Sequence, residues 1–218
     1  MSTPSKASTA ASLRGAGRPK ASEVEARTQD LIDAAATLFL ENGYTRTSLE
    51  AIARAARVAV RTIYVKFGGK AGLLAAVMVS RRGQFFQVRD MERDTRPFRD
   101  VVDDFAHQFF DLLCNEQALA MQRVVIAETP GNPELADTFY NSGPRLTRDM
   151  LARYFARPDV RAQLRTDLPF DDLPGLLMSW ISGDPIGRLV LPHAQPGREE
   201  AHRLLAERLA MFYRAVLR

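Results

Sequence analysis

The sequence predicts an all-α protein, a small N-terminal helical domain followed by a larger helical body. Three observations carry this reading. Apolar residues recur three and four apart along most of the 218-residue chain. No stretch sustains the period-two alternation that strands require. Glycine, proline and capping residues punctuate the periodic stretches at the spacing of separate helices.

Residues 1–21 are poor in hydrophobics and end in Arg14-Gly-Ala-Gly-Arg18-Pro19-Lys20, the composition of a flexible basic arm. Ser22, with Glu25 three residues on, has capping-box spacing and opens the first helix. Leu31, Ile32, Ala35, Ala36, Leu38 and Phe39 form its apolar stripe, and Gly43 stops it. Thr47 begins a second helix, with Glu50 completing another capping box and Ile52 and Ala56 facing inward. Val60 to Phe67 makes a third, with Ile63 and Phe67 on its core face. Gly68-Gly69 breaks the chain, and a fourth runs from about Lys70 past Ser80 on Leu73, Leu74, Val77 and Met78. These elements define residues 22–84 as one domain and 85–218 as the next.

In the second domain Pro97 suits a first helical turn, and a broad stripe follows through Phe98, Val101, Val102, Phe105, Phe109, Leu112 and Leu113. Asn132 is a cap before Pro133, and the run from Leu135 to Phe155 is kinked or broken at Gly143-Pro144. A further helix starts at Asp171-Asp172 and Pro174 and carries Leu176, Leu177, Trp180, Ile181, Ile186 and Leu189, disturbed at Gly183 and Pro185. The last spans about Arg198 to Leu217.

Charge is uneven. The first 80 residues hold 11 Lys and Arg against 6 Asp and Glu, and the remaining 138 hold 19 against 20. A basic N-terminal module suits an anionic partner, although an Arg-rich solvated surface has the same composition. The second and third helices, meeting at a tight turn, have the layout of a helix-turn-helix over about residues 47–67, in which one helix props another in the major groove of DNA. Arg61, Thr62, Tyr64 and Lys66 lie off the face used by Ile63 and Phe67. Arg61 suits guanine, and Val60 or Val65 a thymine methyl. Thr47, Ser48 and Tyr64 offer hydroxyls to phosphate, and Lys70 adds charge beside the free N–H groups of the fourth helix. A helical hairpin with an ordinary solvated face is the alternative.

Gly43-Tyr44, then Thr47-Ser48-Leu49-Glu50-Ala51-Ile52-Ala53, Arg61-Thr62-Ile63-Tyr64, Phe67, Lys70 and Leu73-Leu74 resemble the N-terminal domain of the TetR family of bacterial transcriptional regulators, over about residues 24–84. The resemblance implies that Thr47 caps the supporting helix near phosphate, that Thr62 and Tyr64 contact DNA, and that Lys70 meets phosphate. Gly17-Arg18-Pro19-Lys20 is similar to basic arms that precede this domain, which implies Arg18 in the minor groove. Three positions depart from the family pattern. Arg57 stands where glycine is usual, and a non-glycine residue in left-handed backbone costs about 1–2 kcal/mol unless a phosphate contact compensates. Ala59 replaces a capping Ser or Thr, forfeiting about 1 kcal/mol. Val60 replaces a basic or polar residue, removing one hydrogen bond to a base.

The segments Arg123 to Glu128, Pro133-Glu134-Leu135, Phe139-Tyr140 and Gly143-Pro144 resemble the AefR-type tail of one branch of that family. This implies a C-terminal ligand-binding and dimerisation domain. Phe105, Phe109, Met121, Phe139, Met178 and Trp180 could line an apolar pocket or simply be core, with His107, Arg145 and Asp184 as candidate polar partners. Leu189, Leu205, Leu209, Phe212 and Tyr213 are candidates for the dimer interface, since the family packs its last two long helices across a two-fold axis.

Other chemistries find no motif. His107, His193 and His202 lack metal-site spacing, Gly68-Gly69-Lys70 lacks the upstream glycine of a phosphate loop, and there is no G-x-S-x-G elbow. No catalytic group, cofactor site or metal is expected. The single Cys114 excludes an internal disulfide and, beside Leu112 and Leu113, reads as a buried structural thiol in a reducing compartment. Met1 to Gly17 has no apolar run, and no segment reaches the roughly 18 apolar residues of a membrane span, so a cytoplasmic location is expected. The expected function is a dimeric repressor that binds a pseudo-palindromic double-stranded operator and is released by a small apolar or amphipathic effector. An activator of the same fold shares every residue named, and a helical binding protein or enzyme with an incidental helix-turn-helix is the third alternative.

Overall fold

The computed structural model describes residues 21–85, 91–191 and 195–218, so the basic arm and Arg18 lie outside the described residues, as does His193. Its elements are α1 (Ala21–Asn42), α2 (Leu49–Ala55), α3 (Val60–Phe67), α4 (Lys70–Phe85), α5 (Phe98–Cys114), α6 (Glu116–Glu128), α7 (Pro133–Ser142), α8 (Pro144–Ala156), α9 (Pro158–Arg161), α10 (Leu173–Ser182), α11 (Pro185–Val190) and α12 (Arg198–Val216). Among the described residues the only β-type pairing is an isolated bridge, Leu164 with Leu217, which ties the end of α12 to the segment after α9.

Two hydrophobic cores organise these helices. One is built from Phe98, Phe105, Leu151, Tyr154, Leu177 and Leu205 with their neighbours, on α5, α8, α10 and α12. The other holds Leu31, Phe39, Ile52, Ile63, Leu73 and Val77 of α1–α4, and also Met121 and Val125 of α6 and Leu135 of α7. The N-terminal core is thus completed by helices from far along the chain. A shift of α6 or α7 is felt directly by the first four helices.

Local chemistry explains most boundaries. Gly43, at φ 80°, ends α1, and its N–H donates to Phe39 O at 3.0 Å. Gly68 closes α3 in the left-handed conformation. Gly143 separates α7 from α8, each beginning on proline, whose missing N–H costs nothing in a first turn. Gly183 and Asp184 fully separate α10 from α11, where the sequence suggested one disturbed helix. The second capping box does not form. Ser48, not Thr47, caps α2, its Oγ accepting from Ala51 N at 3.1 Å. Cys114 also departs from expectation: it is exposed at the end of α5, and desolvation by surrounding protein pushes its thiol up.

Candidate nucleic-acid interface

α3 is amphipathic over two turns. Ile63 is fully buried, Val60 and Phe67 are half-buried beside it, and the opposite face shows Arg61, Tyr64 and Val65 to solvent at i, i+3 and i+4 spacing. Tyr64 is 57% exposed and Val65 75%, the highest value for any large hydrophobic among the described residues. Water alone does not favour such residues on an outer face. A thymine methyl and a phosphate oxygen are suitable partners for Val65 and the Tyr64 hydroxyl. Thr62 is half-buried, and exposed Lys66 donates from Nζ to Thr28 Oγ1 at 2.6 Å, bracing α3 on α1.

The turn before α3 is a complete Schellman motif. Val58 N–H donates to Ala53 O at 2.9 Å and Arg57 N–H to Arg54 O at 3.2 Å. Arg57 takes the left-handed position at φ 55°, the single non-glycine residue with positive φ among those described. Its side chain is exposed. Ala59 starts α3 with no side-chain cap.

Two expected contacts are placed elsewhere. Thr47 is 2% exposed, and its hydroxyl is committed to Gly43 O at 2.7 Å and Leu38 O at 3.0 Å, so it locks the α1–α2 turn and cannot reach phosphate in this conformation. Lys70 is half-buried, donates to Thr45 O at 3.1 Å and lies 4.5 Å from the Tyr44 ring centroid. Desolvation pushes its ammonium down, partly opposed by Glu128.

Lys70 belongs to a clasp that the sequence did not reveal. Glu128, the last residue of α6, accepts from Thr45 N at 2.6 Å and Thr45 Oγ1 at 2.5 Å, and Asn132 Nδ2 donates to Thr45 Oγ1 at 2.9 Å. Burial pushes the Glu128 carboxyl up, but the hydrogen bonds from Thr45 and Tyr44 and the charge of Lys70 outweigh it and hold the group below its ordinary value. A side chain at Gly43 would collide with Glu128 Oε1, so only glycine lets the carboxylate sit against this turn.

Two family models match the chain. Residues 31–77 match that of bacterial regulatory proteins of the tetR family, and residues 100–171 that of the AefR-like transcriptional repressor C-terminal domain. The chain belongs to the TetR family. It is a DNA-binding transcriptional regulator. An uncharacterized HTH-type transcriptional regulator of Mycobacterium tuberculosis is 25% identical over 185 residues, 82% of this chain and 84% of its own. The fatty acid metabolism regulator protein of Bacillus subtilis is 33% identical over 94 residues, 42% of this chain and 47% of its own. Among solved structures, the flavonoid-responsive regulator FrrA superposes with a TM-score of 0.70 at 27% identity, covering 88% of this chain and 98% of its own.

The six expected pocket residues of this TetR-family chain do not come together. Phe105 and Phe109 stack on each other in the C-terminal core, and Met178 and Trp180 pack against that same core. Met121 and Phe139 instead belong to the N-terminal core. A cleft of about 1070 Å³ lies between the end of α5, the start of α6, α11 and α12; Phe110, Cys114, Leu119, Arg123, Arg188 and Arg208 are among its walls. Asp184 also lines it and caps α11 through Gly187 N at 3.0 Å. His107 meets His202 ring to ring, Nδ1 to Nδ1 at 2.7 Å, and Arg145 is exposed and bonded to Asn141 Oδ1 at 3.1 Å. Of the expected dimer residues, Leu205, Leu209, Phe212 and Tyr213 are buried within their own subunit and Leu189 is half-buried. The large apolar residues left outward on these elements are Leu176, Ile186, Val190, Leu191, Leu204 and Met211. No single helix among the described residues is long and apolar enough to cross a membrane.

Proposed function

We propose that this regulator is a cytoplasmic, dimeric repressor without catalytic activity, in which residues 22–84 hold the operator and 85–218 dimerise and sense a small molecule. Arg61, Tyr64 and Val65 read bases, with Ser48, Arg57, Thr62 and Lys66 on the phosphates around them. The outward apolar residues Ile186, Val190 and Leu191 support a two-fold contact, which would present two copies of α3 to successive major grooves about 34–36 Å apart. The effector occupies the α5–α6–α11–α12 cleft. A response to small molecules also fits the similarity to FrrA, a flavonoid-responsive regulator.

One observation carries the coupling: α6 touches both places. Leu119 and Arg123, in its first two turns, line the cleft, Arg123 Nε donating to Leu189 O at 2.7 Å. Its end places Val125 in the N-terminal core and Glu128 on Thr45. A helix of 13 residues spans about 20 Å and moves as a rod. Filling the cleft shifts the Glu128 end and reorients α1–α3, so effector and operator weaken each other's binding reciprocally. Transcription in vitro from the promoter beside its own gene tests the sign. The protein is expected to lower transcript and protect two successive major-groove faces in a footprint; raised transcript would mean an activator, and protection of a single face would remove the dimer.

A further inference from the structure

The cleft contains a charge arrangement that the fold does not need. Arg188 is only 7% exposed; one guanidinium nitrogen donates to Ser182 O, and its Nε is buried with no partner. Arg208 faces the same cleft from α12, with Nε and Nη2 both buried and unpartnered. Burial pushes both guanidiniums down from their ordinary range, and Arg208 is pushed further by Arg188. A buried donor left without an acceptor costs about 1–3 kcal/mol, more when it is charged.

The carboxylates nearby are occupied or turned away. Asp111 accepts from His202 Nε2 at 2.8 Å and from Arg198 Nη2 at 3.1 Å, Asp184 caps α11, and Glu116 is exposed at the start of α6. Arg123 spends its donors on the carbonyls of Arg188 and Leu189. No Asp or Glu among the described residues forms an ion pair with Arg188 or Arg208, and the Asp184 charge acts on Arg188 only from beyond that contact. Space is also reserved for the charge. Gly183, at φ 61°, sits against Arg208 Nη1, and any Cβ there would collide with it. Beside the two guanidiniums lie the apolar walls Phe110, Leu119 and Leu204.

We infer that the cleft takes an anionic, amphipathic small molecule, its carboxylate received by Arg188 and Arg208 and its apolar body laid on Phe110, Leu119 and Leu204. The inference names the ligand class of the effector site proposed above and rests on that reading for its regulatory meaning. Guanidinium is the natural receptor, since its planar fork matches a carboxylate in two parallel hydrogen bonds.

The test is calorimetric titration of the full-length protein with 2-naphthoate and decanoate, each against its neutral amide. Both carboxylates are expected to bind at least about tenfold tighter than their amides, the equivalent of about 1.4 kcal/mol. Arg208→Gln and Arg188→Gln should erase that preference, and Arg208→Gln should keep or raise Tm, because it removes a half-buried charge whose Nε and Nη2 have no acceptor. Equal binding of acid and amide, or failure of both acids to bind, overturns the inference. So does a preference that survives in both variants. If neither acid binds and Arg208→Gln weakens self-association, the guanidiniums answer a partner copy instead, which also overturns it. A gel shift separates the two readings. Carboxylate binding without operator release leaves the anion site standing and sinks the effector-released repressor, whereas no carboxylate binding with operator binding intact sinks the anion site alone.

Discussion

Replacing Arg57 by glycine should push stability and DNA affinity in opposite directions. Arg57 holds φ 55° at the left-handed position of the Schellman turn between α2 and α3. A side chain there costs about 1–2 kcal/mol that glycine avoids, while glycine gives back part of this through the greater freedom of the unfolded chain. The net gain is about 1 kcal/mol, and for a chain of this size that raises Tm by about 2–4 °C. The exposed guanidinium next to α3 has no hydrogen-bond or ion-pair partner among the described residues to repay its strain, so phosphate is its expected role. Losing one screened phosphate contact per protomer costs about 1 kcal/mol, or about fivefold in affinity, and makes the salt dependence shallower by about one counterion per protomer. Thermal melts and fluorescence anisotropy across a salt series read both quantities on the same preparation. A lower Tm would refute the strained turn. A higher Tm with unchanged affinity and salt slope would refute the phosphate contact.

Two further substitutions probe the clasp and the subunit contact. Glu128→Ala removes two charge-assisted hydrogen bonds to Thr45; because the residue is only half-buried, the loss is discounted to about 1 kcal/mol in denaturant unfolding. Its folded-state pKa is depressed, so the contribution is present above the ordinary glutamate range and lost as pH falls through the folded value. The stability gap between wild type and Glu128→Ala should therefore close in acid, and a gap constant with pH would contradict the clasp. Val190→Asp, on an outward apolar residue, should leave unfolding nearly unchanged and shift sedimentation toward monomer. Leu205→Ala, on a fully buried one, should cost about 2–5 kcal/mol; a dimer unaffected by Val190→Asp would place the contact elsewhere.

Local rules made some of this legible and tertiary packing hid the rest. The limits of α3 follow from Val60 and Gly68, and the α7–α8 break from Gly143-Pro144, because each is decided by neighbouring residues. The strain at Arg57 was readable for the same reason. The cap of α2 was not: Thr47 and Ser48 are adjacent hydroxyls, and only packing shows that Thr47 turns inward to Gly43 O. Periodicity marked Met121 and Phe139 as inward but could not say toward which core. It also marked Leu205, Leu209 and Phe212 as a stripe without revealing that their own subunit consumes it. Arginine reads as surface in any sequence, so Arg188 and Arg208 carried no signal until the fold buried their nitrogens together. Glu128 and Thr45, 83 residues apart, could be matched only by the structure.

Operator binding by this chain requires above all that the outer face of α3 meet DNA. Anisotropy of labelled DNA from upstream of its own gene, titrated at low salt with wild type, Arg61→Ala and Tyr64→Ala, measures this directly. Each side chain is exposed and makes little fold contact, so unfolding free energy should stay within about 0.5 kcal/mol of wild type. Affinity should fall by about 1–3 kcal/mol for Arg61→Ala, with discrimination relaxed at one base position, and by a smaller but measurable amount for Tyr64→Ala. Binding equal to wild type in both variants, with folding intact, would contradict the account.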